Sequence, residues 1–224
     1  MVLQFVLQNT WMLFCIFFAA VLIISSIMKS QESRFVTRVG TIRKFSILDL
    51  EFPSSGLDLA NNINGIYKLP ENQPDKVLRA LKNNLFLDFL FMPAIYGCIF
   101  LLCMYVAGKT KYPGNDIFAI AAWLQFAAWL FDIIENCYLL YKIRPGTSPS
   151  KPAVLNLYRC IVIAKWAIAL FGGVCAFMVI IYFFITGNYQ PASLGYLKIL
   201  VIEVLLMIMV NKFLDRRSIL KKSK

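Results

Sequence analysis

The chain of 224 residues is 59% hydrophobic and 16% charged, and its 23 Lys and Arg against 12 Asp and Glu give a net charge of +11. A soluble domain of this size carries about a quarter charged residues, and apolar runs of about 18 or more residues have the length of membrane spans, so a single soluble core is excluded. The sequence has no histidine, which removes His-based zinc and haem sites and the Ser-His-Asp arrangement.

The first apolar run extends from about Gln4 to Met28. It lacks a basic start, is too long for the apolar region of a cleavable signal and is followed at once by Lys29, so it is expected to be a retained helix. Residues 29–84 then form the one sizeable extramembrane segment. Within it "FSILDLEF" alternates, with Leu48, Leu50 and Phe52 on one side and Ile47, Asp49 and Glu51 on the other, and this predicts a short half-buried strand or extended segment. "PSSG" breaks the chain. Leu59, Ile63 and Ile66 recur at helical spacing and predict a short amphipathic helix. Pro74 at a first turn with Asp75 beside it marks a helix start, and the apolar stripe Val77, Leu78, Leu81, Leu85 predicts one continuous helix from about Pro74 to Ala107, kinked at Pro93. The insert is too small for a core of its own and is expected to pack on the membrane face.

Four more spans follow or complete this pattern: Leu85–Ala107, Ile117–Tyr141, Tyr158–Ile185 and Leu197–Phe213. At 1.5 Å per residue each covers a hydrocarbon core of roughly 30 Å. The organisation is therefore a first transmembrane helix (1–28), a membrane-associated insert (29–84), a four-helix bundle (85–213) and a basic tail (214–224). The fold class is all-α, a polytopic bundle of about five transmembrane helices. Nine Lys and Arg lie in 29–84, four in 142–159 and six after Asn211, making 19 on one side; the other side has two, Lys109 and Lys111. By the positive-inside rule the N-terminus is outside, and the insert and tail are cytoplasmic. Tyr138, Tyr141 and Tyr158 would mark the inner interface and Tyr105, Tyr182, Tyr189 and Tyr196 the outer one. The six cysteines form no CxxC pair and lie in or beside apolar spans, where a cysteine behaves as a small hydrophobe.

The third span carries the chemistry. Ala121, Gln125, Ala128, Asp132, Glu135 and Leu139 recur at spacings of four and three, one helix face of small and polar residues, which places that face in the bundle interior. Each carboxylate near a helix centre costs about 2.5–3.5 kcal/mol on insertion, so the helix needs neighbours that supply donors. Lys165 on the fourth span lies at the depth of Glu135, and pairing with Glu135 or Asp132 is expected. Asp88 is shallower on the same side, Asn136 adjoins the stripe, and Glu203 on the fifth span is deep with no evident partner. Ala169, Gly172, Gly173 and Ala176 would let the fourth helix approach closely.

"LDLEF", "LDFLFMPAIYG" and "FDIIEN" resemble motifs of a family of small bacterial multi-span membrane proteins to which no activity is assigned. The resemblance covers roughly residues 45 to 142. It places Asp88, Tyr96, Gly97, Asp132, Glu135 and Asn136 at motif positions, and implies a bacterial cytoplasmic membrane.

Three functions compete. The first is a non-enzymatic structural or assembly component whose polar cluster (Asp88, Gln125, Asp132, Glu135, Asn136, Lys165, Glu203) fixes helix packing. The second is a small proton- or cation-coupled transporter using the intramembrane carboxylates. The third and weakest is a lipid-modifying enzyme, because no nucleophile motif or phosphate-binding loop accompanies "DIIEN". No catalytic residue, metal site or cofactor is assigned. The expected partners are the lipid bilayer and other membrane subunits, not nucleic acid.

Overall fold

Apolar runs in a chain with few breaking residues fold as helices, because a helix satisfies its backbone groups internally where water is absent. The structure, a computed structural model, describes residues 9–189 and 191–222, with the side chains of 192 and 213–222 outside the description. The start of the first run before residue 9 and the side chains of the basic tail thus lie outside the described residues.

The elements in order are α1 (Thr10–Glu32), β1 (Val36–Val39), β2 (Thr41–Lys44), α2 (Leu48–Glu51), α3 (Gly56–Ile66), α4 (Gln73–Lys109), α5 (Gly114–Lys142), α6 (Pro152–Ile185) and α7 (Pro191–Lys222). Five of these helices, α1 and α4–α7, contain stretches long and apolar enough to cross a membrane. The chain is a multi-pass α-helical membrane protein. Helix α4 packs on α5 and α1, α6 closes over both α4 and α5, and α7 rests on α1. As expected, α4 runs unbroken from the extramembrane region into its span, with Pro74 in its first turn and Pro93 inside it.

The insert departs from expectation in two places. The segment upstream of "FSILDLEF" is a two-stranded antiparallel hairpin, with Val36 opposite Lys44 and Val39 opposite Thr41. Gly40 turns it at φ +77°, a conformation that suits glycine. "LDLE", expected to be extended, is a single helical turn. Asp49 Oδ2 accepts from the Ser46 backbone N–H at 2.7 Å and from the Ser46 hydroxyl at 3.2 Å, and Glu32 Oε1 accepts from the Ile47 N–H at 3.1 Å. These side-chain acceptors satisfy N–H groups at the start of the turn, the role that capping carboxylates play at helix starts. The expected helix over Leu59, Ile63 and Ile66 is present as α3, and all three side chains are buried. Its first turn is capped by Ser55, whose hydroxyl accepts from the Asp58 N–H.

The insert shares a core with the bundle. Phe35, Phe45, Leu50, Leu59, Ile63 and Ile66 pack in one cluster with Val77, Leu81 and Leu85 of α4, Leu139 and Ile143 at the end of α5, and Tyr158 and Val162 of α6. Tyr158, expected at the membrane interface, is buried in that core and donates to the Leu50 carbonyl at 3.1 Å. Arg159 beside it donates from Nη2 to the Pro53 and Ser54 carbonyls, both at 2.5 Å. The insert is thus tied to α6 by its backbone as well as by its apolar face.

Candidate functional site

The stripe on α5 is internal, as its spacing requires: Ala121, Gln125, Ala128, Asp132, Glu135 and Leu139 are all buried, and so is Asn136. Trp123, Leu124, Phe126, Leu130 and Ile134, on the remaining faces, are exposed. Helix α6 presents Lys165 to this stripe, and it comes close because Gly172 has no side chain. A Cβ there would stand 2.6 Å from Gln125 Nε2 and 3.2 Å from Ile99 Cγ2. Gln125 Nε2 uses the approach to donate to the Ile168 carbonyl of α6 at 3.3 Å, and it also donates to Ala121 O at 3.0 Å.

Lys165 Nζ is the centre of the site. It lies 2.8 Å from Asp132 Oδ1, 2.6 Å from Glu135 Oε2 and 3.6 Å from Glu51 Oε2. Both carboxylates expected to compete for Lys165 therefore share it. Asp132 is doubly satisfied, because Tyr96 on α4 donates its hydroxyl to Oδ2 at 3.0 Å. Asn136 faces α4 and donates to Asp88 Oδ2 at 2.6 Å, a second polar pair between α4 and α5 beside the cluster. Glu135 is different: its side chain is 1% exposed, and Oε1 has no hydrogen-bond partner.

Glu51 and Trp166 complete the cluster, and neither lies on the polar stripe of the third span. Glu51 comes from α2, outside the spans, and its Oε2 also accepts from Trp166 Nε1 at 3.1 Å. Burial pushes the Glu51 carboxyl above its ordinary value of 4.5, and the Lys165 ammonium opposes that rise. The one sequence signal for Glu51 was an imbalance: several acidic residues and a single deep lysine imply that the lysine serves more than one acid.

Glu203 is not part of this group. It lines a groove of about 410 Å³ between α1 and α7 with Ala19, Leu22, Ser26 and Met207, and its Oε2 is buried without a hydrogen-bond partner. Beside the groove Ser26 donates to Asn211 Oδ1 at 2.5 Å, a polar link between the two helices. The six cysteines are free.

A buried ammonium among three carboxylates, one of them also held by Tyr96, can do two things chemically. It can hold three segments in fixed register, and it can hold protons that the excess carboxyls share. Among the described residues no group of three or more His, Cys, Asp or Glu is arranged to hold a metal ion. At this cluster the lysine itself occupies the position between the acids. Comparison with known protein families, curated proteins and solved structures finds no match to this chain.

Proposed function

We propose that the chain is a non-enzymatic integral membrane protein, a structural or assembly component, in which the Lys165 cluster clamps the extramembrane insert onto the helix bundle. The observation that carries this reading is that one ammonium reaches Glu51 of the insert and Asp132 and Glu135 of α5 at the same time. A buried charge holds such a position only when its partners stay in place, since removing one member of a buried pair costs about 3–5 kcal/mol. The excess of basic residues on the insert side supports an orientation with the N-terminus outside and the insert and tail in the cytoplasm of a bacterial cell. The partners in this reading are lipid and other membrane subunits, which the open apolar faces of α7 would meet.

A second reading, a small proton- or cation-coupled transporter, is favoured by the Glu135 Oε1 atom, a buried acceptor without a partner. The stabilities of Asp132→Asn, Glu135→Gln and Lys165→Met in detergent, singly and in pairs, separate the two. For the structural reading, a single carboxylate change is expected to destabilise, with stability recovered when it is combined with Lys165→Met. If neutralising the carboxylates leaves stability unchanged or raises it, the transport reading replaces the structural one, and proton flux in liposomes is then the assay.

A further inference from the structure

On the insert side of the bundle, the end of α1 and the first turns of α4 enclose a cavity of about 560 Å³, lined by Gln31, Arg34, Asn72, Asp75, Lys76, Arg79, Ala80 and Asn83. Three cations and one carboxylate face it, a formal excess of two positive charges. Among the described residues none of Arg34, Lys76 and Arg79 forms an ion pair or a side-chain hydrogen bond, so three charged donors converge on a space whose one carboxylate, Asp75, pairs with none of them. The positive end of the 37-residue helix α4 adds to the same field.

The level of the cavity and the sequence of α4 identify the anion. Arg79 stands six residues before Leu85, where the apolar span begins, or roughly 9 Å outside the hydrocarbon. That is headgroup depth. Lys76, Arg79, Asn83, Phe86 and Leu90 recur at spacings of three and four and therefore share one face of α4. Along that face the lining of the cavity gives way to Phe86, 59% exposed, and Leu90, 62% exposed. On α1, Ile27 is likewise exposed one turn deeper than Gln31. A cationic cup set directly above an open apolar strip has the form of a phospholipid.

We propose that this cavity binds the phosphate group of an anionic phospholipid, with Arg34, Lys76 and Arg79 on the phosphate oxygens and the acyl chains along Phe86 and Leu90. Guanidinium groups suit the task because their forked donors match phosphate oxygens, and basic pockets between helices on one face of a membrane bind anionic headgroups.

The test uses the full chain in a neutral detergent, titrated with phosphatidylglycerol, with phosphatidylcholine and with inorganic phosphate alone, and read by native mass spectrometry and thermal shift. Phosphatidylglycerol is expected to bind and to raise the melting temperature more than phosphatidylcholine does, with little effect of inorganic phosphate. Arg34→Gln with Arg79→Gln is expected to weaken phosphatidylglycerol binding by about 25-fold, roughly fivefold for each basic residue. Both side chains are exposed and unpaired, so the variant should fold, and circular dichroism checks that it does. Phe86→Ser is expected to weaken lipid binding alone. Phosphatidylglycerol binding that is unchanged in the double variant overturns the site. Protection by inorganic phosphate equal to that by lipid, and lost in the double variant, overturns the lipid as the source of the anion.

Discussion

Side by side on α6, two glycines differ in what surrounds them. At Gly172 a methyl group would meet Gln125 Nε2 at 2.6 Å and Ile99 Cγ2 at 3.2 Å, displacing the Gln125 amide from its hydrogen bonds, whereas around Gly173 the nearest atoms stand at 3.7–3.8 Å, an ordinary contact. Gly172→Ala is therefore expected to destabilise the protein by about 1–3 kcal/mol through overpacking. Gly173→Ala is expected to be neutral or stabilising by up to about 1 kcal/mol, the helix preference of Ala over Gly. Thermal denaturation of both variants in detergent checks the contrast. At this scale the sequence was most legible on α5, because a polar residue inside a span can face only the protein, and the spacing of Gln125, Asp132 and Glu135 therefore named the buried face. It was least legible for Glu203. Depth along a helix follows from counting residues, but direction around the bundle depends on which neighbour packs there, and α7 meets α1, not the helices that carry Lys165 and Asp132.

The elements of the insert show where local pattern misleads. "SILDLEF" alternates like a strand, yet Ser46 and Asp49 hydrogen-bond to each other's positions and wind it into α2. Short-range polar contacts decide a segment of this length, since alternation over a few residues carries little packing free energy. The hairpin before it is marked only by composition, with the β-branched Val36, Thr37, Val39, Thr41 and Ile42 around the turn residue Gly40. The docking of α2 also has a pH signature. The Glu51 carboxyl titrates above its ordinary value of 4.5 in the folded protein because burial disfavours its charge. The folded state then holds its proton to higher pH than the unfolded state does. The contribution of this group to stability is complete below about pH 4.5 and is lost as pH rises through the higher folded value. In Glu51→Gln that loss is expected to disappear, giving a flatter profile of melting temperature as pH rises above about 4.5 than in the natural sequence. A profile of equal slope in both proteins would show that Glu51 does not titrate in its docked position.

At the scale of the whole molecule, span number and order were readable because bilayer thickness fixes the length of an apolar helix. What the insert does was not, because its partners are remote in sequence. The proposed orientation predicts that, with the six natural cysteines replaced, a thiol reagent that cannot cross membranes labels Lys111→Cys in intact cells and Lys68→Cys only after permeabilisation. Remote partners also set a schedule. Glu51 waits for Lys165 and Trp166, the Leu50 carbonyl for Tyr158, and the Pro53 carbonyl for Arg159, separations of 115, 108 and 106 residues for the last three contacts. At about 5–20 residues per second, a ribosome takes on the order of ten seconds to supply them. Through that interval α2 and α3 have been made but their clamp has not, and the apolar face that later meets α6 is bare. The protein thus passes through an obligatory open stage during synthesis, and its insert closes only after the fourth of its five membrane-spanning helices has emerged.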